Sequence, residues 1–89
     1  MSYSFSVRGA TKAQAIANVV EKFAEIVQAQ PVHAEDQQQA LGCATVFIDL
    51  LQEDDTQDVA VSMNGSIWKA ETGIRSTAVT VNATLVKKE

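Results

Sequence analysis

The spacing of apolar residues changes twice along this chain, and that succession limits its fold more than any other feature. At the start, Tyr3, Phe5 and Val7 alternate with Ser2, Ser4, Ser6 and Arg8, the period-two pattern of a strand buried on one face. Beyond Gly9, Ile16, Val19, Val20, Phe23, Ile26 and Val27 recur every three or four residues, which predicts an amphipathic helix from about Thr11 to Gln28. Thr11 stands at a capping-box spacing from Gln14. Pro31 has no amide proton to continue the helix, so it marks the end. A second helix follows, with Glu35 and Asp36 in its first turn and Ala40, Leu41, Ala44, Phe47, Ile48 and Leu51 as its apolar stripe. Gly42 lies inside that helix at a cost of about 1 kcal/mol relative to alanine, which predicts a close approach there to the first helix or to the sheet.

After the acidic connection from Glu53 to Asp58, period two returns. Val59, Val61, Met63 and Ile67 share one parity; Thr77, Val79, Val81, Ala83 and Leu85 share another, with Ala78, Thr80, Asn82, Thr84 and Val86 facing the other way. Ala70-Glu71-Thr72-Gly73 reads as the turn between them. Asn64-Gly65 has two readings. It is either a two-residue hairpin turn that splits this region, or a bulge at Gly65 within one strand from about Asp58 to Lys69, and one long hairpin with a bulge is preferred. Trp68 has the outward parity of Ala60, Ser62 and Asn64 if the strand is unbroken, whereas a bulge at Gly65 turns it into the core. The element order is β-α-α-β-β. The expected fold is a single α+β domain over residues 1–89, an antiparallel sheet with two helices packed on one face.

Eighty-nine residues form one small core that buries only about 60 to 65% of the surface of the unfolded chain. Domains of this size lean on disulfides, a metal or association. The single cysteine, Cys43, excludes an intramolecular disulfide and a Cys-rich zinc site, so association is expected. A lone thiol, the lack of a secretion signal and the lack of a long apolar run point to a cytoplasmic protein with no membrane partner. The net charge of −4 makes nucleic acid a poor partner.

No residue pattern calls for catalysis. His33 lies near Glu35 and Asp36, but no nucleophile accompanies it, and it reads as a polar cap. Cys43 sits mid-helix beside Gly42 and Ala44 and reads as a small buried hydrophobe. The acidic run lacks the alternating ligands of a calcium loop, and no glycine-rich phosphate loop is present. No catalytic, cofactor-binding or metal-ligating residue is assigned, and the chain is not expected to be an enzyme.

The outward strand faces do carry a signal. Ser4, Ser6, Ser62, Asn64, Trp68, Thr80, Asn82 and Thr84 would form a flat surface with charge only at its ends, in Arg8, Asp58, Lys69 and Arg75. Monomeric sheets protect such surfaces with lysine, glutamate or proline. These eight residues are therefore the candidate interface of a homo-oligomer or of contact with another protein. The alternative is a small-ligand module with a pocket near Trp68 or at a subunit interface. A cysteine hydrolase using Cys43 and His33 stands third.

Tyr3-Ser4-Phe5-Ser6-Val7 leading into Lys12-Ala13, Gln30-Pro31-Val32-His33-Ala34-Glu35-Asp36 at the helix junction, and Val59-Ala60-Val61-Ser62-Met63-Asn64-Gly65-Ser66 together resemble small uncharacterised proteins of phage and prophage genomes. The resemblance implies an accessory protein of host or virion, with no catalytic residues. In outline the order is also similar to dodecin-like flavin binders. The second helix and the lack of an aromatic pair at the stacking position separate this chain from them.

Overall fold

Alternation at the N-terminus produces β1 (Ser2–Gly9), and the three-to-four spacing produces α1 (Lys12–Ala29) and α2 (Ala34–Asp49). β2 (Gln57–Ala70), β3 (Gly73–Ser76) and β4 (Thr80–Lys87) complete the chain. These elements come from a computed structural model that describes residues 2–30, 32–52, 54–71, 73–76 and 79–88. The architecture is the expected α+β fold, an antiparallel sheet with both helices packed against it. Thr77 and Ala78, read as opposite-facing residues of the last strand, lie outside the described residues, as do Pro31, Glu53 and Thr72.

Each helix begins where its sequence allows the first amides to be satisfied. Thr11 Oγ1 accepts from Gln14 N at 3.1 Å, and Gln14 Oε1 accepts from Ala10 N at 3.2 Å. α1 then buries Ala15, Val19 and Phe23. Gly9 makes that entry fit, because a Cβ on it would lie 2.5 Å from Ala15 N. α2 buries Ala40, Ala44 and Ile48, but Phe47 departs from the expected stripe and is 43% exposed. Gly42 also departs from expectation. It is exposed, and a Cβ built on it meets nothing within 4 Å, so no close approach accounts for it.

β2 is the central strand. β1 pairs with it without a break from Ser2 opposite Ser66 to Gly9 opposite Val59. β4 pairs with it from Gln57 opposite Lys87 to Asn64 opposite Thr80, and β3 continues from Ile67 opposite Ser76 to Ala70 opposite Gly73. The single long hairpin is therefore present, but its irregularity is not at Gly65. From Asn64 to Ile67 the strand advances three residues, while from Thr80 back to Ser76 its partner moves four, so the extra residue is on the returning strand. Gly65 has another cause. It pairs with Tyr3, and a Cβ on it would lie 2.7 Å from Tyr3 Oη and 2.9 Å from two ring carbons. The glycine seats the ring.

With parity preserved, Val59, Val61, Met63 and Ile67 all enter the core, where Val19, Phe23 and Ile48 meet them. The Tyr3 ring meets Phe23 edge-on at 5.7 Å and stacks beside Phe5 at 6.4 Å. A 14-residue strand spans roughly 46 Å. That matches the long dimension of 48 Å and raises the radius of gyration to 13.6 Å, above the roughly 12 Å of a rounder domain this size. Among the described residues, no helix is long and apolar enough to cross a membrane.

Two substitutions separate these glycines. Gly65→Ala should destabilise the fold by about 1 to 3 kcal/mol in urea titration, and by less in a Tyr3→Leu background where the ring is gone. Gly42→Ala, measured on dilute protein, should stabilise it by about 1 kcal/mol.

Candidate protein interaction face

An unbroken β2 decides the orientation of every outward side chain. Ser4, Asn64 and Thr80 form one cross-strand row, Ser6, Ser62 and Asn82 the next, and Arg8, Ala60 and Thr84 a third. All eight residues proposed for the interface lie on this face. Ser62, at the centre, is half-buried, and the other seven are exposed. Trp68 keeps the outward parity of Ser62 and Asn64 and is 49% exposed, which settles its two readings in favour of the surface. A shallow depression of about 330 Å³ runs over Ser6, Arg8, Ala60, Ser62, Asn82 and Thr84.

Charge is confined to the two ends of this face. At one end Arg8 Nε donates to Asp58 Oδ2 at 2.9 Å and Arg8 Nη2 donates to Lys87 O at 2.8 Å, which ties together three strands. At the other, Arg75 pairs in register with Trp68, yet its guanidinium turns to the helical layer. Arg75 Nε donates to Asp36 Oδ2 at 2.9 Å and Nη2 to Asp36 Oδ1 at 3.1 Å, while Glu35 Oε2 lies 4.0 Å away. Asp36 is only 7% exposed, so the fork is a partly buried, bidentate clamp between β3 and the first turn of α2. The hydrogen bonds to Asp36 raise the pKa of Arg75 above its ordinary value against the opposing effect of desolvation. Sequence reasoning missed this pair because its members are 39 residues apart and each has a local explanation of its own.

The remaining candidates do not converge. His33 caps α2, its Nδ1 accepting from Glu35 N at 3.4 Å. Cys43 is half-buried along the same helix, about 15 Å from His33 at the rise of an α-helix, so the two do not form a nucleophile and base pair. In the acidic connection Asp54 Oδ1 accepts from both Thr56 N and Thr56 Oγ1 at 2.7 Å, closing a local turn. Those bonds, the side-chain one foremost, hold the Asp54 carboxyl below its ordinary value. Among the described residues no cluster of three His, Cys, Asp or Glu could hold a metal ion. Two further depressions, one of about 350 Å³ between Val7 and the Asn18–Lys22 flank of α1 and one of about 370 Å³ at Arg8, Ala10, Asp58 and Lys88, do not include Trp68.

Comparison of the chain with protein-family models, with curated proteins and with solved structures gives no match.

Arg75→Gln should speed amide exchange in residues 73–76 far more than in β1, since it removes the guanidinium from a buried carboxylate. Because the folded-state value of Asp54 lies below the ordinary one, its turn contributes fully above the ordinary carboxylate range and is lost as pH falls through the lowered value. Titration by NMR should show this, and Thr56→Val should move the value back up.

Proposed function

We propose that this chain is a non-enzymatic protein that associates with copies of itself through the open sheet face, in an accessory or structural role of the phage and prophage kind that its sequence resembles. One observation carries this reading: an uncharged surface, three strands wide from the Arg8–Asp58 pair to Asn64, that narrows to the β2–β3 pair at Trp68. About 26 Å of the face is three strands wide and about 20 Å is two strands wide, so it offers on the order of 500 Å² per copy. Two such faces would bury about 1,000 Å², at the lower end of specific protein interfaces.

The chemistry of the face suits a twofold contact. Serine, threonine and asparagine supply both donors and acceptors, so the same surface can satisfy itself across a twofold axis. Their small size lets two sheets approach closely, and Trp68 supplies the one large anchor at the rim. Arg8 and Asp58 neutralise each other at the far end. The net charge of −4 opposes association only at long range, so added salt should strengthen it. A cytoplasmic setting agrees with Cys43 remaining a free thiol.

Light scattering after size exclusion over a tenfold concentration range tests the proposal. The expected result is a discrete multimer that loses a contact when Ser62→Lys and Asn82→Lys place charge at the centre of the face. A monomer throughout, or an assembly indifferent to both lysines, would overturn it.

A further inference from the structure

The helical layer carries a second surface on the side turned away from the sheet, with an apolar row along it and exposed carboxylates at Glu35 and Asp49. On α1, Ala13, Ala17, Val20 and Ala24 are exposed at three- and four-residue spacings, while Asn18, Glu21, Lys22 and Glu25 gather beside β1. On α2 and its C-cap residue Leu50, Gly42, Val46 and Leu50 are exposed four residues apart, with Phe47 alongside. Lys12 Nζ donates to Asp49 O at 3.0 Å, so the helices run antiparallel and Val20 comes level with the middle of α2. Leu50 is the most prominent member at 74% exposed. Together Val20, Val46, Phe47 and Leu50 expose on the order of 400 Å² of apolar side chain, enough to mark a contact surface.

We infer that a second copy of this chain docks here, its α2 antiparallel to the first about a twofold axis at Val46, with Leu50 of each copy seated over Gly42 of the other. The row itself carries the argument. Gly42 and Leu50 lie about 12 Å apart on α2, equally spaced on either side of Val46. A twofold axis there places the largest protrusion of one copy on the gap in the other. A Cβ at Gly42 meets nothing within 4 Å in its own chain, so packing within the protomer does not explain a glycine that costs about 1 kcal/mol in a helix interior. In this register Asp49 comes opposite Cys43 rather than opposite its own like charge, and the two helix dipoles oppose each other favourably. The apolar centre supplies about half of the roughly 800 Å² per partner of a stable dimer, and the polar side chains around it would supply the rest.

This contact does not rest on the sheet face, which lies on the other side of the molecule. A chain that uses both contacts links copies into assemblies longer than a dimer. The test therefore starts from the protein carrying Ser62→Lys and Asn82→Lys, studied by sedimentation velocity with thermal melting as a control for folding. A dimer is expected in that background, weakened about tenfold or more by Gly42→Gln or by Leu50→Glu, each at an exposed position. The exchange of Gly42→Leu with Leu50→Gly should restore it, because bump and gap trade places under the same axis. A monomer in that background, a dimer indifferent to both single substitutions, or a folded exchange variant that stays monomeric would each overturn the inference.

Discussion

Among the described residues β1, β3 and β4 each pair with β2, so the fold depends on that strand keeping one parity along its whole length. Side chains alternate faces with a period of two, and a slip of one residue would carry Val59, Val61, Met63 and Ile67 out of the core and bring Ser62, Asn64 and Trp68 in. Gly65 is where such a slip would be easiest, since glycine has no side chain to hold register. The Tyr3 ring occupies the space above it and packs on Phe23, so the weak point of the central strand is covered by the edge strand beside it.

That constraint leaves the molecule with an uncharged sheet face, a helix face with an apolar row along it, and ion pairs around the perimeter. Arg8 with Asp58, Lys22 with Glu25, and Arg75 with Asp36 all lie at strand ends, helix flanks or the sheet edge. The sheet face between them is polar and small, whereas the outer helix face is apolar. A core built from so few large side chains sits near the lower limit for an independent domain, and covering either surface would add to it. The Arg75–Asp36 fork serves the same end within the chain by fastening the narrow hairpin extension to the helical layer.

Much of this was legible in the residues because it depends on local periodicity. Alternation in Tyr3, Phe5 and Val7 and the three-to-four spacing of Val19, Phe23 and Ile26 are properties of neighbours in the chain, and such patterns predict the elements and the outward residues of the sheet other than Trp68, whose direction hung on Gly65. Gly65 and Gly42 were misread for one shared reason: each glycine looks the same in sequence whether a ring, a helix or empty space lies above it. Phe47 joined the predicted stripe by spacing alone, although the buried arc of α2 is narrow and filled by Ala40, Ala44 and Ile48.

The sequence by itself determined the order of elements and the parity of each strand as far as Gly65, since these follow from the backbone geometry of a few consecutive residues. Only the tertiary structure decided on which side of the long hairpin the extra residue lies, where Trp68 points, that Arg75 grips Asp36 and that α2 keeps an uncovered apolar row. Those features are set by groups many residues apart that meet only when the sheet and the helices have packed, and no local pattern records such a meeting.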